Sequence, residues 1–192
     1  LGIPNNGGVK LFSVSGHVNK PSNFEINMGT PFKDLLAMAG GVKDGRKLKA
    51  VIPGGSSVPV LTGEMMMECT MDYDSITKAG SMLGSGAVVI MDETTDMVKA
   101  LRRISRFYFS ESCGQCTPCR EGTGWLYRVL CRIVDGKGRS EDIELLEEVS
   151  HKIEGRTICA LGDAAAMPVW SFIKHFRHEF QYYVDHKRSI LS

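Results

Sequence analysis

The chain has 192 residues, of which 43% are hydrophobic and 23% are charged. These values are average for a globular protein, so they exclude a wholly disordered chain, a collagen and a coiled-coil rod. Its 23 basic and 22 acidic residues leave a net charge of +1, which provides no overall field to attract nucleic acid or an anionic membrane. No uninterrupted apolar run is longer than five residues, the length of the run at 87–91, against the ~20 that a membrane-spanning helix needs. We therefore expect a globular protein that neither binds nucleic acid nor inserts directly into a membrane.

The first half of the chain combines a glycine-rich start with short strands and one amphipathic helix. The first residue is Leu rather than Met, and residues 1–8 are rich in Gly, Asn and Pro, so we predict a linker in a piece of a longer protein. Short strands bounded by turn residues are predicted at 9–14, 49–52 and 87–91. Pro31 opens a helix with apolar residues at helical spacing, and Gly40 and Gly41 end it. This pattern predicts a small α+β domain.

The second half is dominated by amphipathic helices. Their predicted ranges are 96–109, 125–134, 141–154 and 168–186. In the last of them a stripe of large apolar residues runs from Val169 to Tyr183, which is typical of a helix that faces a core. Short connections between four such helices predict a helical bundle.

Six cysteines carry the clearest chemical signal. Cys113, Cys116 and Cys119 lie within seven residues, and Cys159 follows after 39 more. Disulfides explain this crowding poorly, whereas thiols two residues apart in a loop converge as metal ligands must, so we infer a reducing compartment and a metal site. Four-iron ferredoxins use the same C-x-x-C-x-x-C start, and a remote thiol can complete such a cluster. The pattern therefore favours a single [4Fe–4S] cluster on these four residues.

The identity of the metal and of the fourth ligand leaves alternatives. Cys159 lies in a loop of small residues between two predicted helices, where backbone can approach a cluster closely. Cys131, in a predicted helix, and Cys69, just after three methionines, are interpreted as core residues, although either could replace Cys159. The thiols could instead hold Zn²⁺, which prefers paired ligands around one small ion, or remain free redox groups. Arg120 and Arg156 could offset the charge of a cluster or form ordinary surface ion pairs.

Several stretches of this sequence are distinctive enough to indicate a family. They are SVSGHV at 13–18, GSGAVVIMD at 84–92, ESCGQCTPCREG at 111–122, TICALGDAAA at 157–166, Pro168, and HFRHEF at 175–180. Together they resemble the NADH-oxidising flavoprotein subunit of respiratory complex I, NADH:quinone oxidoreductase. The diaphorase subunits of NAD-reducing hydrogenase and formate dehydrogenase share the cysteine motifs.

The resemblance implies a domain arrangement. Residues 1–8 would link to a missing N-terminal domain, residues 9–91 would form a ubiquitin-like β-grasp domain of the SLBB type with a linking strand, and residues 92–192 would form a four-helix iron–sulfur domain. In the family the N-terminal domain binds FMN and NADH, and no Gly-rich nucleotide fingerprint follows a strand here. Ala160 and Leu161 would lie near the flavin, as an implication of the resemblance.

The resemblance also implies a function. The cluster would accept single electrons from FMN reduced by NADH and pass them to iron–sulfur clusters of partner subunits, toward quinone. The partners would be the thioredoxin-like [2Fe–2S] subunit and the large iron–sulfur subunit, at the cytoplasmic face of a bacterial inner membrane or the mitochondrial matrix side. This chain alone would not oxidise NADH. The alternatives are a zinc-stapled structural module and a subunit-docking module without a redox role.

Overall fold

The computed structural model describes residues 1–192, which fall into two units, Leu1–Thr95 and Asp96–Ser192. The strands of the first unit are β1 (Gly2–Ile3), β2 (Asn6–Gly7), β3 (Val9–Gly16), β4 (Ser22–Asn27), β5 (Leu48–Ile52), β6 (Leu61–Thr62) and β7 (Ala87–Asp92). Its helices are α1 (Phe32–Met38), α2 (Gly63–Met67) and α3 (Tyr73–Lys78), with a 3₁₀ turn at Lys43–Gly45.

Five strands of the first unit form one mixed sheet, in the order β4-β3-β7-β5-β6. Every neighbouring pair is antiparallel except β3 and β7, which run parallel. Parallel strands cannot be joined by a tight turn, and the long connection between these two carries α1, α2 and α3. Phe32 and Leu35 of α1 share one core with Phe12 and Ile90 of the sheet. The predicted α+β class is confirmed in this unit.

Residues 1–8, which are predicted to be a linker, have a regular structure of their own, and their role as a linker stays a prediction. Strands β1 and β2 pair as a small hairpin, with Asn5 at a φ of +66° in the turn. Asn6 is buried and ties the hairpin down: its Nδ2 donates to Asp74 at 2.7 Å, and its Oδ1 accepts from the Tyr73 N–H at 2.9 Å. A composition rich in Gly and Asn suits a linker and a tight hairpin equally well, because both need residues that adopt positive φ.

Four helices make up the second unit: α4 (Met97–Glu111), α5 (Thr117–Arg132), α6 (Asp142–Ile153) and α7 (Leu161–His186). Each helix packs mainly against two neighbours, in a closed ring from α4 through α5, α6 and α7 back to α4. Their apolar faces fill one core, which includes Leu126, Leu146, Phe172 and Phe180. The predicted bundle is confirmed. No helix of the chain has both the length and the apolar character that crossing a membrane requires.

Two helices begin earlier than predicted: α5 by eight residues and α7 by seven. Pro118 occupies the first turn of α5, where the N–H that proline lacks is not needed. Pro168, which the sequence predicts as the start of a helix, lies inside α7, where it is buried. Tertiary packing therefore compensates the ~3 kcal/mol that an internal proline costs. Further along, α7 is kinked at Phe176, whose φ of −126° and ψ of 24° are not helical.

Candidate metal centre

The first three cysteines of the motif lie where α4 gives way to α5. Ser112 ends α4, and Gly114 adopts a φ of +79° that reverses the chain between Cys113 and Cys116. Cys116 is the residue at which α5 begins, and Cys119 lies within the first turn of that helix. The prediction of three thiols in a loop therefore needs a correction, because the third is carried by a helix.

These three side chains differ in their exposure to solvent. Cys113 is exposed, Cys116 is half-buried, and Cys119 is only 7% exposed. The Cys119 sulfur lies 3.2 Å from the Ser112 hydroxyl, and the Cys119 carbonyl accepts a 2.7 Å hydrogen bond from Thr123. All six cysteines of the chain are free of disulfides. The inner end of the motif is thus held rigidly, while its outer end faces solvent.

Cys159 lies in the connection between α6 and α7, whose backbone is held at several points. The Gly155 N–H donates to the Asp163 carboxylate at 2.7 Å, and the Thr157 hydroxyl donates to the Cys159 carbonyl at 2.8 Å. Gly162 permits this packing, because a Cβ at that position would lie 2.4 Å from the Thr157 hydroxyl oxygen. The connection is therefore a fixed loop that presents an exposed Cys159.

One contact brings the two cysteine segments together. The Ile158 N–H donates to the Cys116 sulfur at 3.4 Å, across 42 positions of sequence. No three His, Cys, Asp or Glu side chains lie close enough to hold one metal ion. A [4Fe–4S] cluster differs from a single ion because each cysteine thiolate binds a separate iron. The four cysteine sulfurs therefore do not need to meet at one point. Four free thiols on two adjoining segments have the number and chemical type of donors that a [4Fe–4S] cluster requires, so the residues present fit that group.

The remaining two cysteines are both predicted to be core residues, and only one of them is fully buried. Cys69 is buried in the core of the first unit, where its thiol donates to the Met65 carbonyl at 3.3 Å, so its core assignment is confirmed. Burial raises the pKa of the Cys69 thiol, because it disfavours the negatively charged thiolate. Cys131, also predicted to be core, is half-buried. Its hydrogen bond with Tyr127 raises the pKa of that phenol. Periodicity places Cys131 on a helix correctly but does not show that its position lies at the edge of the buried stripe.

Two other site predictions can be located in the structure. Arg120 donates to the Gly114 carbonyl at 3.1 Å and to Glu121 at 2.9 Å, so it braces the turn between the first two thiols. Ala160 is exposed and precedes α7, whose first residue, Leu161, is half-buried. Contact of these two residues with a flavin stays a prediction. Sequence reasoning missed Ser112, although a hydroxyl residue directly before the motif is a signal that could have identified it.

Comparisons with known proteins found matches in both units of the chain. The family described as the NADH-ubiquinone oxidoreductase-F iron-sulfur binding region matches residues 99–183, and the SLBB domain matches residues 10–91. Among solved structures, a chain of an NAD⁺-reducing [NiFe]-hydrogenase in the H₂-reduced state matches with a TM-score of 0.85 and 29% identity. That match covers 96% of this chain and 31% of the hydrogenase chain.

Curated relatives are more similar in sequence. The F subunit of the NADH-quinone oxidoreductase of Rickettsia bellii (strain OSU 85-389) is 55% identical over 183 residues, 94% of this chain and 44% of that protein. The corresponding F 1 subunit of Rhizobium meliloti (strain 1021) is 53% identical over 187 residues, 96% of this chain and 43% of that protein. The chain thus spans less than half the length of the relatives it matches.

The bundle, its thiols and the two family matches define the class of protein: an SLBB domain followed by an iron–sulfur binding region of the NADH-ubiquinone oxidoreductase-F type. At 55% identity over nearly its whole length, this chain is a homologue of part of the F subunits of NADH-quinone oxidoreductases. The family resemblance seen in the sequence is confirmed.

Proposed function

We propose that this chain is the electron-transferring part of an NADH:quinone oxidoreductase, with one [4Fe–4S] cluster held by Cys113, Cys116, Cys119 and Cys159. The observation that carries the proposal is the hydrogen bond from the Ile158 N–H to the Cys116 sulfur, which joins the two cysteine segments. Family membership of residues 99–183 supports the same cluster. When bound, such a cluster supplies one-electron transfer between FMN reduced by NADH and the iron–sulfur clusters of partner subunits.

The surrounding residues position the ligands and control access of solvent. Cys119 is buried at the start of α5, and Arg120 braces the turn that separates Cys113 from Cys116. Cys113 and Cys159 are exposed, so the site opens at the surface of the second unit, where another redox centre can approach. The protein's contribution is therefore to fix the ligands and tune the potential, while the cofactors carry the chemistry.

The proposal extends to the parts of the protein that this chain does not contain. FMN and NADH bind in the remaining part of the longer protein, and Ala160 and Leu161 face the flavin. Residues 9–91 act as the β-grasp domain and residues 92–192 as the iron–sulfur domain. The partners are the thioredoxin-like [2Fe–2S] subunit and the large iron–sulfur subunit, in a peripheral assembly on the cytoplasmic or matrix face of the membrane. The names of the relatives, F subunits of NADH-quinone oxidoreductases, support a place in such an oxidoreductase. The flavin contacts, the domain bounds and the particular partners rest on the resemblance seen in the sequence, as does the expectation that this chain alone does not oxidise NADH.

The first test is the metal content of the chain purified anaerobically. We expect about four irons and as many acid-labile sulfides per chain. One zinc ion without sulfide, persisting after reconstitution with iron and sulfide, would contradict the proposal and favour a zinc-stapled structural module.

A second test assigns the ligands individually. Replacing Cys113, Cys116, Cys119 or Cys159 by Ala in the full-length protein should abolish the electron paramagnetic resonance signal of the reduced cluster while FMN still binds. Cys131→Ala is the matched control, because this half-buried thiol on α5 should leave iron content and signal unchanged. A normal signal in any of the four variants would exclude that residue as a ligand.

A further inference from the structure

Ser112 is placed against a sulfur of the candidate metal centre. It ends α4, it is half-buried, and its Oγ lies 3.2 Å from the sulfur of Cys119. The same oxygen accepts a hydrogen bond from the Gly114 N–H at 3.4 Å. The hydroxyl is therefore oriented by the backbone on one side and contacts a buried sulfur on the other.

The chemistry of the sulfur decides the direction of this hydrogen bond. In a free thiol either atom can donate, but a thiolate bound to iron has no proton, so Ser112 is then the donor. The Gly114 N–H then donates to the Ser112 oxygen, and the Ser112 hydroxyl donates to the Cys119 sulfur. Because Cys119 is only 7% exposed, water competes weakly for this bond, and its electrostatic effect is larger than at an exposed thiolate.

We infer that Ser112 is a positioning residue that sets the reduction potential of the cluster through the Cys119 sulfur. This inference rests on the proposed function. A hydrogen bond donated to a ligand sulfur withdraws negative charge, which stabilises the reduced cluster more than the oxidised one, because the reduced cluster carries one more electron. Loss of the Ser112 hydroxyl therefore lowers the potential.

A second hydroxyl near the same cysteine provides a matched control. Thr123 is buried on α5 and donates to the Cys119 carbonyl at 2.7 Å, one turn of helix away. It touches the backbone of the ligand and not its sulfur. A change at Thr123 therefore tests whether the loss of any hydroxyl near Cys119 shifts the reduction potential, or whether only a hydroxyl in contact with the sulfur does so.

The experiment compares midpoint potentials in the full-length protein loaded anaerobically. Ser112→Thr and Ser112→Val introduce side chains of the same shape, of which only threonine has a hydroxyl group. Thr123→Val is the control. Potentials are measured by redox titration with electron paramagnetic resonance of the reduced state, with iron and sulfide analysis for each variant. We expect Ser112→Val to shift to a more negative potential, Ser112→Thr to stay close to the wild type, and Thr123→Val to be unshifted at full iron content.

Equal potentials in the Thr and Val variants, both fully loaded, would overturn the inference and leave the proposed cluster intact. Loss of iron from both Ser112 variants would also overturn it, because Ser112 would then hold the loop rather than tune the potential. Wild-type protein without iron and sulfide would contradict the proposed function itself, so the two failures are distinguishable.

Discussion

Two arginine–carboxylate contacts in the helical unit differ in burial, which determines how much an ion pair contributes to the free energy of unfolding. Asp142 is fully buried and is bound through two nitrogens by Arg132, with Nε to Oδ2 at 2.9 Å. Arg177 reaches Glu144 and Glu147 from α7, but all three side chains are substantially exposed. Removing the partner of a buried carboxylate leaves an uncompensated charge, whereas an exposed pair is replaced by water.

We therefore expect Arg132→Met to reduce the free energy of unfolding by about 3 kcal/mol, at the lower end for a broken buried pair because Arg132 is partly exposed. The matched control, Arg177→Met, should cost less than about 1 kcal/mol. Urea denaturation followed by circular dichroism measures both. Equal losses in the two variants would show that burial of Asp142 does not govern the pair.

The same carboxylate predicts a dependence of stability on pH. Burial alone would raise the pKa of Asp142, but hydrogen bonds from Arg132 and from the Arg139 N–H outweigh it and hold the pKa below its ordinary 3.8. The folded state then binds this proton more weakly than the unfolded chain, so the interaction stabilises the fold above that ordinary value. The stabilisation is lost as the pH falls through the lower folded pKa.

Asp142→Asn should accordingly be less stable than the wild type at about pH 7, and the difference should narrow as the pH falls below about 4. Urea midpoints of the two proteins at matched pH values measure this difference. A constant difference over the whole range would mean that the effect of the substitution is packing rather than charge.

At the scale of elements, helix existence follows from periodicity, while helix starts do not. Apolar spacing predicts all four helices of the bundle, but it places the starts of α5 and α7 too late. Both segments contain residues that favour loops or helix ends, such as Gly122 in α5 and Pro168 in α7. What keeps them helical is close packing against neighbouring elements, which no local pattern records.

Gly122 permits a direct test of such packing. A Cβ at this position would lie 2.6 Å from Cδ1 of Ile153 on α6, a residue that is only 1% exposed and cannot easily move. Gly122→Ala should therefore destabilise the bundle by about 1–3 kcal/mol through overpacking, despite the ~1 kcal/mol that alanine gains in helix propensity.

The double variant Gly122→Ala/Ile153→Ala is the control for this prediction. Because the second change removes the obstructing atoms, its loss of stability should be smaller than the sum of the two single losses by about 1 kcal/mol. Urea denaturation of the four proteins completes the cycle. Strict additivity would show that the α5–α6 contact is not what requires glycine.

At the scale of the whole molecule, each of the two units has a core of its own. In the core of the first unit, side chains of the sheet pack against those of α1, and the second core lies within the bundle. All four proposed ligands belong to the second unit, Asp96–Ser192, whereas the first contains only the buried Cys69. We therefore expect the second unit to fold, and its proposed site to bind metal, without any side chain of the first.

We expect Asp96–Ser192, expressed alone, to retain a helical spectrum, to unfold cooperatively and to bind as much iron and sulfide as the whole chain. Leu1–Thr95 is the control, and this fragment should fold but bind neither iron nor sulfide. Circular dichroism with iron and sulfide analysis measures both fragments. An unfolded or iron-free second fragment, beside a loaded whole chain, would contradict the independence of the two units.

The sequence by itself determined the α+β class, the helical bundle and the family resemblance, because these depend on periodicity and on distinctive motifs, and it predicts four thiols as the ligands of a cluster. Only the tertiary structure decided that residues 1–8 pair as a hairpin, that Cys119 lies on a helix and that Cys131 is half-exposed. It alone revealed the contact of Ile158 with Cys116 and that of Ser112 with Cys119. These outcomes depend on which surfaces meet when helices and loops pack, and that information is distributed over residues far apart in the chain.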